Sequence, residues 1–189
     1  FNPGQFAFVE VQGKVWNEPH PFTISSAPGE TQLRFTMKVL GDWTRKVREE
    51  LEPGTDVLVR GPYGRFDTKI GGPKQIWLAG GIGLTPFLST LRAMQPGDPR
   101  QIHLVYAARE EKDAIFLDEL KTRAAELGNV ILVPLFSDEG NFARVDMMQE
   151  KLPDTLESYD YFMCGPKPMI DGLMQDLKKA GVPRARIHT

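Results

Sequence analysis

At 189 residues, with 41% hydrophobic and 25% charged side chains, the chain can bury a sizeable core and has room for one large domain or two small ones, which excludes a disordered chain. Its 23 basic and 25 acidic residues leave a formal charge of -2 with no basic block, and that excludes a nucleic-acid footprint. One cysteine, Cys164, and three histidines without ligand spacing leave no disulfide, Cys-rich cluster or metal set to build. No apolar run nears the ~20 residues of a membrane helix and no signal peptide is visible, so the sequence reads as soluble. It opens at Phe1 inside strand-like sequence, which predicts a fragment of a longer protein.

In chain order, F-A-F-V-E-V (6–11), L-R-F-T-M-K-V-L (33–40) and D-V-L-V-R (56–60) are short runs rich in β-branched and aromatic residues. The second alternates, with Leu33, Phe35, Met37 and Val39 opposite Arg34, Thr36 and Lys38, so this half predicts an antiparallel barrel or sandwich. Between these runs, H-P-F-T-I-S-S-A-P (20–28) sets an aromatic and three hydroxyls between prolines. W-T-R-K-V-R-E-E-L (43–51) predicts a helix that Asp42 or Thr44 can cap and that Pro53-Gly54 stops.

From about Gly71 the pattern changes to continuous apolar runs: Q-I-W-L-A (75–79), Q-I-H-L-V-Y-A (101–107), V-I-L-V-P-L-F (130–136) and Y-D-Y-F-M-C (159–164). Helical stretches follow at about 85–94, 116–127, 146–152 and 168–180. Runs of this kind suit strands buried on both faces, and the rhythm is that of a doubly wound parallel sheet. The expected architecture is therefore α/β overall: an antiparallel β-barrel domain over residues 1–70, then a parallel α/β domain over 71–189, with 67–74 as linker.

The strongest local signal is L-A-G-G-I-G-L-T-P-F (78–87). A buried strand ends at Ala79, glycines at 80, 81 and 83 let the backbone turn tightly, and Thr85-Pro86 opens a helix whose free N–H groups face the same spot. That is a phosphate site by construction, although it is not G-x-G-x-x-G; a tight turn with no ligand is the competing explanation. C-G-P (164–166) ends the last of the parallel strands, at the edge where open α/β sheets bind ligands. Taken alone, Cys164 would be a small buried apolar residue.

The order P-G-Q-F (3–6), H-P-F-T-I-S-S-A-P, G-D-W-T (41–44), G-P-Y-G (61–64), G-G-I-G-L-T-P, V-Y-A-A-R (105–109) and C-G-P-K-P-M (164–169) resembles the ferredoxin–NADP reductase superfamily. Within it, the pattern is most similar to the dehydrogenase module of membrane ferric reductases and NADPH oxidases. The resemblance spans essentially the whole chain.

That resemblance implies FAD in the first domain and NADPH, with NADH possible, in the second. The superfamily's flavin motif is typically Arg-x-Tyr-Ser, and His20, Pro21, Phe22 and Thr23 stand at its positions here. Phe22 is then expected against the isoalloxazine ring, Thr23 on its reactive nitrogen, and Ile24, Ser25 and Ser26 along the ribityl chain and pyrophosphate. Neutral His20 offers a phosphate one donor where arginine offers a charged fork. The helix start at Gly41, Trp43 and Thr44 is expected to help, with Arg45 and Lys46 nearby and the Asp42 carboxylate turned away to cap the helix. Without the resemblance, Trp43 reads as core and Thr44 as a cap.

In the second domain Gly80, Gly81, Gly83, Thr85 and Pro86 are assigned to the dinucleotide pyrophosphate. Arg109 is assigned to the adenosine ribose or its 2′-phosphate, which favours NADPH over NADH, although Glu110 and Glu111 weaken that pull. A solvated loop arginine is the plain alternative. Ser137 and Asp138 are expected along the same cleft, where a capped turn would also explain them. Cys164, with Gly165 and Pro166, is placed beside the nicotinamide. Together with Thr23 it marks the point of transfer, with a role in orientation rather than covalent catalysis.

The chain stops at R-I-H-T (186–189), where the superfamily usually carries an aromatic near the flavin, and its first barrel strand is incomplete at Phe1. Truncation is the expectation for the missing aromatic, and an enzyme that lacks it is the alternative. The function implied is passage of a hydride from NAD(P)H to FAD, then single electrons to an acceptor. The acceptor is expected to be a transmembrane haem domain of the same parent chain, on the cytoplasmic face of a membrane, reducing oxygen or ferric iron. A soluble reductase for an oxygenase or ferredoxin is the alternative, and a non-catalytic flavin or nucleotide sensor the second.

Overall fold

The computed structural model describes residues 1–14 and 16–189. The first lobe holds β1 (Phe6–Val11), β2 (His20–Thr23), α1 (Asp42–Glu50) and β3 (Val57–Tyr63), and its strands form an antiparallel sheet in the order β2-β1-β3. Pro21 pairs with Phe8 on edge strand β2, where a missing N–H costs no ladder bond on the open side. Ala7, Val9 and Val11 of β1 alternate inward and are buried.

One expectation for this lobe changes. Residues 33–40 form no strand; they meet residues 24–26 through one bridge, Ile24 to Phe35, and through bonds of Arg34 to Ser25 and Ser26, and leave Leu33, Val39 and Leu40 exposed. The antiparallel sheet is as expected, with β2 and β3 at its edges among the described residues. The alternating pattern defines which side of 33–40 is apolar, but a ladder needs a neighbouring strand in register, and beyond the Ile24–Phe35 bridge the segment has none among the described residues.

The second lobe runs β4 (Lys74–Gly80), α2 (Thr85–Ala93), β5 (Gln101–Ala108), α3 (Leu117–Leu127), β6 (Val130–Phe136), α4 (Val145–Lys151), β7 (Asp160–Cys164), α5 (Lys167–Lys179) and β8 (Ile187–His188). The sheet is wholly parallel, ordered β6-β5-β4-β7-β8. The chain winds outward from β4 to one side and then crosses to β7, so the switch point lies between β4 and β7. Both faces of the sheet are covered. Trp77, Leu104 and Phe162 pack beneath α2 and α3, while Ile76, Val105 and Tyr161 face Leu173 and Leu177 of α5. The doubly wound half is thus as expected, because strands covered on two sides are apolar at most positions.

Candidate functional site

The His20–Pro28 stretch is anchored by its backbone and hydroxyls. Ser25 donates its N–H to the Arg34 carbonyl at 2.8 Å and its hydroxyl to the same oxygen at 3.0 Å; the Ser26 hydroxyl accepts from the Arg34 N–H at 3.2 Å. Ile24, Ser25 and Ser26 are buried. His20 and Phe22 share one side of β2 and both rest on Trp43, with ring centroids 4.3 and 5.7 Å away. Trp43, in the first turn of α1, is held by its indole N–H donating to the Trp16 carbonyl at 2.9 Å. Phe22 stays half-buried, and His20 Nε2 is shut from solvent with no hydrogen-bond partner among the described residues, although Glu18 lies 3.5 Å away.

At the start of α1 the capping falls to one of the two residues expected for it. Thr44, not Asp42, does it: its hydroxyl accepts from the N–H groups of Leu40 and Gly41 at 3.0 and 3.2 Å and donates to the Gly41 carbonyl at 3.0 Å. Reaching back from the third helical position, Thr44 orders the turn before the helix, and Asp42 is left exposed beside the positive helix end.

In the second lobe, β4 runs through Gly80 into a tight turn over Gly81–Leu84 and then directly into α2. Gly83 must be glycine, because a Cβ there would stand 2.2 Å from the Cys164 carbonyl oxygen and 2.7 Å from the Gly165 nitrogen. The ends of β4 and β7 therefore meet backbone to backbone at the switch point. Gly81 has φ +52° with nothing within 4 Å of where its Cβ would be, so it leaves an open cradle. Thr85 is buried and donates its hydroxyl to the Ile82 carbonyl at 3.1 Å, which makes Thr85 and Pro86 part of the turn's frame rather than its open face.

That open face belongs to a cleft of about 880 Å³ along the carboxyl ends of the parallel strands. Gly80, Gly81, Arg109, Ser137 and Pro166 line it; Cys164 sits behind, against the core, with burial raising its thiol above the ordinary value. The thiol is thus protonated at neutral pH, which suits packing and not attack. Arg109 is exposed and turns its Nε toward Asp138 Oδ2 at 3.2 Å, so two residues expected along the same cleft contact each other. The sequence reading missed the loop after β6, where Asn141, Phe142 and Arg144 line the cleft, and Lys38, which reaches it from the first lobe. An exposed aromatic between Asn141 and Arg144 just past a strand end was the available signal; for Lys38 there was none.

Flavin-motif and cleft residues form two groups, joined through α2. Both groups fit what the resemblance implies. His20 carries a buried nitrogen lacking a partner next to a helix start, where a phosphate would supply an acceptor. Gly81 opens onto the strand-end cleft, where a dinucleotide backbone would approach closely.

Comparison with known proteins agrees. The FAD-binding domain family matches residues 1–67 and the oxidoreductase NAD-binding domain family residues 77–175. The reductase component of propane 2-monooxygenase from Rhodococcus jostii (strain RHA1) is 27% identical over 203 residues, covering 99% of this chain and 54% of its own length. The glycine betaine monooxygenase reductase subunit of Chromohalobacter salexigens is 30% identical over 204 residues, covering 100% of this chain and 55% of its own. The chain thus spans about half the length of these curated relatives. The cytochrome b5 reductase domain of Ulva prolifera nitrate reductase superposes with a TM-score of 0.80 over 100% of this chain and 85% of that one, at 22% identity, which speaks to the fold. An antiparallel lobe joined to a parallel lobe with the glycine turn thus has matches in sequence and structure, and the chain belongs to the oxidoreductase NAD-binding domain family, with an FAD-binding domain ahead of it.

Proposed function

We propose that this chain is the flavin reductase part of a larger oxidoreductase, with residues 1–70 holding FAD and residues 71–189 holding NAD(P)H. Bound FAD supplies the chemistry, accepting a hydride from the nicotinamide and releasing electrons singly to an acceptor. The task of the residues is to bring two rings into contact and keep water from between them.

His20 gives its free nitrogen to the FAD pyrophosphate, supported by the first-turn N–H groups of α1 and the backbone at Gly41. Phe22 offers its remaining face to the flavin while Trp43 braces it from behind. Thr23 supplies a hydroxyl to the ring edge, and the peptide groups from Ile24 to Ser26 follow the tail. Gly80, Gly81 and Gly83 bring the start of α2 to the dinucleotide pyrophosphate, with Thr85 and Pro86 framing the turn. Arg109, Ser137 and Asp138 meet the adenosine end, and Gly165 and Pro166 shape the other wall. Cys164 orients the nicotinamide as a small, protonated side chain.

The observation that carries this reading is the close backbone approach of Gly83 to Cys164 and Gly165, which sets the glycine turn against the end of β7 at the switch point. Anaerobic addition of NADH or NADPH to the FAD-loaded protein is expected to bleach the flavin's yellow absorbance. Persistence of the colour with both donors would refute the reading.

For the acceptor, the relatives support a separate electron-accepting component, since two of them are named as the reductase component or subunit of a monooxygenase. The transmembrane haem domain rests on His20 at the first position of the flavin motif, and neither relative named above is described as a membrane oxidase. Among the described residues no helix is long and apolar enough to cross a membrane. A Cys-rich cluster domain elsewhere in the parent sequence would support the oxygenase reading, and apolar spans of ~20 residues the membrane one.

A further inference from the structure

Helix α2 leaves the glycine turn at Thr85 and three residues apart presents Ser89 and Arg92 on the side facing the first lobe. The Ser89 hydroxyl, fully buried, donates to the Ser26 carbonyl at 2.7 Å. Arg92, with only 9% of its side chain exposed, donates from Nη1 to the Ser25 carbonyl at 2.6 Å. The rest of its guanidinium is fixed from the other side. Nε and Nη2 form a two-pronged bond to Glu119 of α3 at 2.6 and 2.8 Å, and the Phe116 ring lies 5.3 Å beneath. Phe116 holds this place with φ +63°, an unusual backbone for a bulky side chain.

We propose that Arg92 is a positioning residue that sets the distance and angle between the flavin motif and the nicotinamide turn. This rests on the flavin-reductase reading above. One rigid helix begins at the phosphate turn and, two turns later, grips the two carbonyls that end the flavin motif, so movement of one motif relative to the other must break the bonds of Ser89 to Ser26 and of Arg92 Nη1 to Ser25, while the fork on Glu119 fixes where Nη1 points. A fork is required because only a planar guanidinium can hold Glu119 with two prongs and still reach Ser25. Nothing in this arrangement touches a bound ring, and the effect passes through the backbone of Ser25 and Ser26.

The test compares the FAD-loaded protein with Arg92→Lys, which keeps the charge and loses the fork, and with Glu119→Gln. The first readout uses a tetrahydro analogue of the donor dinucleotide, which can stack on the flavin but has no hydride to give, and follows the long-wavelength absorbance of ring contact. Arg92→Lys is expected to bind the analogue within about twofold of the unchanged protein, yet lose most of that band. With NAD(P)H, its limiting rate of flavin bleaching should fall about tenfold or more with KM little changed, since small misplacement costs rate and not affinity. Glu119→Gln should shift both readouts the same way by less. An unchanged band and limiting rate in Arg92→Lys, whatever happens to its melting temperature, would overturn the proposal, as would a rise in KM at constant limiting rate. If the unchanged protein gives neither band nor bleaching, the flavin-reductase reading fails, and the Arg92 role with it.

Discussion

Cys164 lies at the end of β7 with its thiol held above the ordinary value of 9.0 by burial, and the Gly83 turn presses on its carbonyl. A role in shaping the ring pocket predicts that Cys164→Ala keeps its FAD and lowers the rate of flavin reduction about tenfold, measured by stopped-flow absorbance at saturating donor. Covalent catalysis would instead abolish turnover. Asp138 poses a different question, because it occupies Arg109, the one assigned residue able to meet a 2′-phosphate. In Asp138→Ala that arginine is freed and a repelling carboxylate removed. The ratio of kcat/KM for NADPH over NADH is expected to rise about tenfold, equivalent to ~1.4 kcal/mol. No change in the ratio would show that Arg109 does not face the adenosine ribose.

At the scale of elements, the glycine turn separates two reasons for glycine. Gly83 is pinned against β7, so the Cβ of Gly83→Ala has nowhere to go and should cost about 1–3 kcal/mol in urea unfolding through overpacking. Gly81 is open and only its φ of +52° resists a side chain, so Gly81→Ala should cost about 1–2 kcal/mol in stability while obstructing the dinucleotide directly. Larger stability loss at Gly81 than at Gly83 would reverse this account. Apart from β8, too short to leave a pattern, the second-lobe helices and strands were legible to within a residue or so because buried parallel strands admit few polar residues, and Gly128 and the prolines mark where helices turn. The 33–40 segment was not legible as it stands. Its alternation reports a face, whereas its structure depends on Arg34 bonding Ser25 and Ser26, contacts that no local pattern encodes. Trp43 could be read either as core or as part of the flavin site, and the structure shows why: it is buried against Trp16 and at the same time supports His20 and Phe22.

The two lobes meet through α2 and through Phe66, whose ring packs edge-on against Phe87 and Phe162 of the second lobe at 5.4 and 6.0 Å. Arg92, which reaches Ser25 across this seam, is itself held by an ionic link to Glu119 of α3 within the second lobe, and that link has a defined pH range. Hydrogen bonding from Arg92 holds the Glu119 carboxyl below its ordinary 4.5, so the link's contribution is fully present above pH 4.5 and is lost as pH falls through the lowered folded value. The melting temperature of the unchanged protein should therefore exceed that of Glu119→Gln at neutral pH, and the gap should close on acidification. A gap independent of pH would assign it to packing alone.

The central claim is that both rings are held in one fixed arrangement across the switch point between β4 and β7. The direct measurement is anaerobic reduction of the FAD-loaded protein with donor carrying deuterium on either face of the nicotinamide C4. A fixed site predicts that deuterium is lost from one face only, with slower flavin bleaching for that isomer alone. Loss from both faces, or equal rates for the two isomers, would contradict it.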